Sequence, residues 1–243
     1  MLPVTRHGLR ELLIGSVVLA LCAIGLGFAW WPLAIIVVPV FIWLVAFFRD
    51  PERVVPSEQH AVVSPADGTV SDITEIESEE LLDNVPAVRV GIFLSVFNVH
   101  VNRSPCDGKV LSVTYKEGKF INAMRHNEAS EDNESNTIVL GDPQTGKPIA
   151  VVKQIVGLIA RRIVSTAKVG ETVERGQRIG MIKFGSRTEL TLPKWLEPEI
   201  KVQIGQSVRG AADIVALLRE PVHTTARIRD PEVEPLVGRE SPA

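Results

Sequence analysis

Gly185-Ser186 sits at the tip of a tight turn between two apolar-alternating runs, 179–184 and 190–192, that read as strands. A serine placed after a glycine can attack the carbonyl of the residue before it, moving the acyl group from nitrogen to oxygen. β-Elimination of the resulting ester would then cut the chain. A neutral hydroxyl is a poor nucleophile, so this needs a base in hydrogen-bond reach and a group that orients the base. Histidine is the natural base near neutral pH, and an aspartate can hold its tautomer. The chain offers both types of residue, Asp67 in Ser64-Pro-Ala-Asp-Gly68 and His100 in Phe97-Asn-Val-His-Val-Asn-Arg103. Taken singly, each has an ordinary reading. An Asp before Gly is a common turn residue. His100 shares the polar face of a strand with Asn98 and Asn102, opposite Val99 and Val101.

These residues must be positioned by short strands. Between residues 61 and 218 brief β-type runs alternate with turn signals, as in 88–94, where Val88, Val90, Ile92 and Leu94 take every second place. The expected fold is mainly β with few helices, a flattened barrel or sandwich. Ser64-Pro-Ala-Asp-Gly-Thr-Val70 and residues 168–180 look like the two halves of a lipoyl- or biotinyl-type barrel, but no lysine-bearing tip of the carrier kind is present. The division expected is a membrane anchor and linker at 1–55, a catalytic β domain at 56–220 and a flexible tail rich in Pro, Arg and Glu at 221–243.

The anchor reads directly from the sequence. Residues 12–48 contain no charged side chain. That run is too long for one ordinary span of about 20 residues and suits two short apolar helices, 12–28 and 33–48, broken near Gly25, Gly27 and Pro32; the alternatives are one long tilted helix or a re-entrant, interfacial anchor. Arg6 and Arg10 precede the run and Arg49 and Arg53 follow it, which favours a hairpin with both ends in the cytoplasm. With nothing ionisable in it but Cys22, the segment is expected to attach the protein and leave self-cleavage to the β domain.

Composition excludes other classes. With 243 residues and a net charge of −3, the chain has no basic patch suited to nucleic acid. Two cysteines make no disulfide framework, and five scattered histidines show no zinc spacing. A homo-oligomer is compatible with all of this.

Taken together, Phe47-Phe-Arg-Asp-Pro51, Ser64-Pro-Ala-Asp-Gly68, residues 93–103, Gly118-Lys-Phe-Ile-Asn-Ala123, Gly157-Leu-Ile-Ala-Arg-Arg-Ile163 and Phe184-Gly-Ser-Arg187 resemble the short form of the phosphatidylserine decarboxylases. The resemblance implies that Asp67, His100 and Ser186 form the catalytic set and converge in space. It also implies scission at Gly185-Ser186, a pyruvoyl cofactor made from Ser186, and fragments 1–185 and 186–243 that stay associated. The implied substrate is phosphatidylserine in the cell membrane, met from the cytoplasmic side. The long form carries a second His three residues after the first; here that place is Arg103, so no role passes to it. Arg161 and Arg162 read equally as an exposed basic pair or as receivers of the lipid phosphate, and Lys119 as a pocket residue or part of a turn. The rival from another class is a membrane-anchored lipoyl-like adaptor without activity.

Overall fold

The computed structural model describes residues 4–118, 133–157, 162–183 and 186–220. Three helices come first, α1 (Leu9–Ala29), α2 (Trp31–Ala34) and α3 (Val37–Phe47). α1 ends where Trp30 swings to an extended backbone, φ −167° and ψ 109°. Pro39 falls in the first turn of α3, where its missing N–H is not needed. The helical stretch Arg6–Phe28 is long and apolar enough to cross a membrane. With 11 residues, α3 rises only about 16 Å. The expected pair of near-equal helices is therefore one long and one short. Gly15 of α1 lies against Leu44 of α3, leaving no room for a Cβ. Thr5 N donates to Phe48 O at 2.9 Å, so the two ends of the helical pair meet beside the β domain.

Fourteen strands follow among the described residues: β1 (Ala61–Val63), β2 (Gly68–Glu79), β3 (Val85–Leu94), β4 (Val101–Arg103), β5 (Gly108–Lys116), β6 (Ser135–Gly141), β7 (Pro148–Val156), β8 (Arg162–Ser165), β9 (Thr172–Val173), β10 (Arg178–Lys183), β11 (Ser186–Pro193), β12 (Glu199–Ile200), β13 (Ser207–Val208) and β14 (Ile214–Leu217). Eight of them form one antiparallel sheet in the order β13-β2-β3-β11-β7-β6-β5-β9. Two small sheets, β1-β14-β12 and β4-β10-β8, complete the domain. The main core lies on the face of β3, β7 and β11 that carries Val90, Ile92, Val152, Leu190 and Leu192.

The fold repeats itself. Ser64-Pro-Ala-Asp-Gly68 has a second copy in Ser104-Pro-Cys-Asp-Gly108. In the first, Ser64 Oγ donates to Ala66 O (2.6 Å) and Asp67 Oδ1 accepts from Gly210 N (2.8 Å). In the second, Ser104 Oγ donates to Cys106 O (2.7 Å) and Asp107 Oδ1 accepts from Arg175 N (2.7 Å). Each turn then starts a strand, β2 or β5, whose edge is covered by β13 or β9 respectively. The half-unit starting at Ser64 therefore closes on residues 204–210, and the stretch 168–180 serves the copy starting at Ser104.

Candidate active site

Ser186 opens β11, the strand at the middle of the large sheet, opposite Leu94 on β3 and Val156 on β7. Its side chain is fully buried, and Oγ has no hydrogen-bond partner among the described residues. An orphan hydroxyl in a dry site is costly, about 1–3 kcal/mol, and calls for a reason.

His100 immediately precedes β4 and is also fully buried. Its Nδ1 lies 3.0 Å from Asn98 O. A carbonyl can only accept, so Nδ1 carries the proton and the neutral ring presents the Nε2 lone pair. Nε2 is buried and without a partner. The Phe47 ring covers the imidazole at 4.4 Å between centroids. Burial is the main force holding the His100 pKa down to about 4; Arg49 lowers it further, against the opposing pull of the Asn98 carbonyl. His100 is thus an unprotonated base across the neutral range.

Strand directions bring the two orphans to one end of the domain. β10 runs antiparallel to β4, with Met181 opposite Val101, and Ile182 N donates to His100 O at 3.1 Å. On β11, Thr188 Oγ1 accepts from Asn102 Nδ2 at 3.0 Å. Ser186 and His100 each lie two residues before a member of that Thr188–Asn102 pair. No hydrogen bond joins Oγ to Nε2, since both are unpartnered.

Behind them runs a chain of buried amides. Asn136 Nδ2 donates to Gln154 Oε1 (2.8 Å), Gln154 Nε2 to Asn102 Oδ1 (2.8 Å), and Asn102 on to Thr188. Every link is satisfied, so the chain locks β6, β7, β4 and β11 in one arrangement.

The hydrogen bonds of Asp67 go to groups other than the imidazole. Its Oδ1 accepts from Gly210 N and its Oδ2 from Arg53 Nη2 at 2.6 Å. Burial pushes its carboxyl above the usual range, although both partners favour the charged form. What reaches the His100 segment is the turn that Asp67 holds: Pro65 O accepts from Arg103 N at 2.9 Å. Among the described residues, the hydrogen-bond partner of the His100 ring is the Asn98 carbonyl. Arg103, where the long form has its second His, donates to Asp50 Oδ1 (2.9 Å) and Gly176 O (3.1 Å), tying the linker to the domain.

Arg162 opens β8 opposite Lys183, exposed at the same end of the domain as Ser186. Gly185, Lys119 and Arg161 lie outside the described residues. Cys106 is no rival nucleophile, because burial pushes its thiol up to about 12. Phe47, Gln154 and Thr188 belong to the site and were not among its expected residues.

The His100 environment makes a measurable prediction. Nuclear magnetic resonance titration of its imidazole should give a midpoint near 4. Between the ordinary 6.5 and about 4 the unfolded chain binds a proton that the folded chain refuses. Stability should therefore fall as pH drops through that window and level off below it. A midpoint near 6.5 would mean that water reaches the ring.

The phosphatidylserine decarboxylase family model matches residues 40–216. The chain is 45% identical over 215 residues to a phosphatidylserine decarboxylase proenzyme of Rhodopirellula baltica, covering 88% of each chain. It is 46% identical to a protein of the same name from Carboxydothermus hydrogenoformans, covering 77% of this chain and 85% of that one. For the Nitrobacter winogradskyi proenzyme the identity is 45%, with 81% and 78% covered.

Proposed function

The chain belongs to the phosphatidylserine decarboxylase family, and we propose that it cuts itself between Gly185 and Ser186 and then decarboxylates phosphatidylserine to phosphatidylethanolamine. The observation that carries this reading is the pair of buried, unpartnered groups, Ser186 Oγ and His100 Nε2, at one end of β4 and β11. The membrane-anchored adaptor reading offers no use for either.

In the first reaction His100 Nε2 takes the Ser186 proton as Oγ bonds to the Gly185 carbonyl carbon. The Gly185–Ser186 C–N bond breaks, and the proton passes to the departing amine. Removal of the Ser186 Cα proton then expels the Gly185 carboxylate from Cβ. One water hydrolyses the remaining enamine to a pyruvoyl group and ammonia. Asp67 acts at one remove, fixing the turn whose Pro65 carbonyl holds the residues after His100. The dry setting keeps His100 neutral, so that its Nε2 lone pair is free to take the proton at neutral pH.

The residues present fit the cofactor, since the serine from which it would be made is already buried, with a hydroxyl unengaged among the described residues. A pyruvoyl group supplies an electron sink for the carbanion left by loss of carbon dioxide. His100 can return a proton to that carbon. Fragment 186–243 stays in place because β11 pairs with β3 on one side and β7 on the other.

The anchor puts this chemistry at a bilayer surface. α1 enters the membrane, α3 accompanies it, and the flanking Arg6, Arg10, Arg49 and Arg53 keep the domain on the cytoplasmic face. Phe97, on the turn before His100, is exposed beside Arg49, whose Nη2 donates to Phe97 O at 2.7 Å. An aromatic–cation pair at that level suits the headgroup region, where Arg162 is available to a phosphate.

The reading is tested with phosphatidylserine vesicles. Phosphatidylethanolamine should accumulate, and pretreating the protein with phenylhydrazine, which captures ketone carbonyls, should abolish the reaction. Undiminished activity after complete treatment would overturn the cofactor assignment.

A further inference from the structure

Sequence alone assigns the apolar segment 12–48 to attachment. The structure instead brings an end of α1 and an end of α3 against the reaction centre. At the end of α3, Phe47 and Phe48 are turned into the β domain and buried with Met181 of β10. The Phe47 ring lies 4.4 Å from the His100 ring, tilted by 35°. From the first turn of α1, Glu11 Oε1 accepts from Lys183 Nζ at 2.7 Å. Lys183 is buried and closes β10, three residues before Ser186. Just beyond α3, Arg49 donates to Ala46 O and Phe97 O, both at 2.7 Å, and so fastens the helix to the turn that leads into His100.

These three attachments reach the imidazole face, the strand that ends three residues before Ser186, and the loop that carries the base. None of them is needed to hold an apolar helix in lipid. A side chain serving attachment alone would face outward, as the exposed Phe41 does on the same helix.

We propose that Phe47 is a positioning residue for His100, and that the seated anchor is a structural part of the reaction centre, required for self-cleavage as well as for membrane attachment. The aromatic wall blocks rotation of a ring held otherwise by one hydrogen bond, and it keeps water from Nε2. The Glu11–Lys183 pair fixes the end of β10, three residues before Ser186.

The inference rests on His100 as the base, and the experiment separates the two. Full-length chain is made by cell-free synthesis in phosphatidylcholine vesicles, which contain no substrate, and scission is followed by pulse–chase electrophoresis. Phe47→Ala should slow cleavage roughly ten- to hundredfold, the scale expected when a catalytic group is misplaced by about 1 Å. Phe47→Leu, which keeps an apolar cover, should retain most of the rate. Phe41→Ala, which removes as much apolar anchor without touching the β domain, should cleave as the parent does. A second readout uses the uncleaved Ser186→Ala background. There the His100 titration should move from about 4 toward 6.5 with Phe47→Ala and stay put with Phe41→Ala. Besides Phe47, the groups acting on that ring are Arg49 and the Asn98 carbonyl, and both remain in place.

Parent-rate cleavage in Phe47→Ala, or equal slowing by Phe41→Ala, would overturn the proposal. Should Phe47→Ala fail to fold, Glu11→Gln carries the test: it removes the carboxylate from buried Lys183, and parent-rate cleavage there overturns the proposal too. If His100→Ala still cleaved at the parent rate, the assignment of the base would fail instead.

Discussion

Ser186→Ala is expected to give a folded, uncleaved and wholly inactive chain of 26.6 kDa. The substitution removes one buried oxygen that makes no hydrogen bond, so the sheet loses nothing it was using. Stability should hold or rise slightly, because an unsatisfied buried hydroxyl is relieved. Chemistry, by contrast, loses its nucleophile and with it the ester whose elimination leads to the cofactor, and no neighbouring group replaces it. Ser186→Cys should separate the two steps: a thiol can drive the same acyl shift, but a pyruvoyl group would form poorly. Denaturing electrophoresis and vesicle assays on both variants check this. A Ser186→Ala chain that still divided at 185/186 would exclude serine attack.

Arg187→Met is expected to cause the largest loss of stability of any single change near the site. Arg187 follows the scissile serine, and its side chain is fully buried. It donates to Glu189 Oε1 (2.9 Å), Asp72 Oδ1 (2.6 Å) and Ser71 Oγ (2.5 Å). Removing one partner of a buried ion pair costs about 3–5 kcal/mol, because the remaining charge is left in a dry site. Arg89, 3.9 Å from Glu189, offsets part of that. A loss of about 3 kcal/mol lowers the melting temperature by roughly 6–12 °C for a domain of this size. Lysine should rescue poorly, since a single ammonium cannot serve three acceptors arranged for a planar fork. Gly91→Ala should show the same fault from the other side, as its Cβ would overlap the guanidinium. Melting curves of the three variants in the Ser186→Ala background keep stability apart from cleavage. Arg187→Met melting with the parent would show that the carboxylates are satisfied without it.

What was legible in the sequence is what repeats along it. Alternation in 88–94 yields β3, and the run without charge at 12–48 yields the helices. The His100 face, with Asn98 and Asn102, is polar by the same alternation, and Asn102 does take part in the site. Other features escape for physical reasons. Phe47 has the same apolar neighbours whether it faces lipid or a protein ring, so only tertiary packing reveals its contact with His100. Among the described residues, the hydrogen-bond partner of the His100 ring is a backbone carbonyl, which every residue carries. Asn136, Gln154, Asn102 and Thr188 come from four strands, and no spacing announces that they meet. The repeated Ser-Pro-x-Asp-Gly at 64–68 and 104–108 is different, because the signal was present in the sequence. Asp67 and Asp107 make the same backbone hydrogen bond, so that bond belongs to the turn. What Asp67 has in addition is Arg53 and a more costly burial.

The central claim is that this chain makes its own cofactor from Ser186, and intact-mass measurement of the purified protein tests it most directly. Two components are predicted, residues 1–185 and residues 186–243. The smaller should begin with a pyruvoyl group, resist amino-terminal sequencing and take up one phenylhydrazine. A preparation fully active on phosphatidylserine that remained a single unmodified chain of 26.6 kDa would contradict the account.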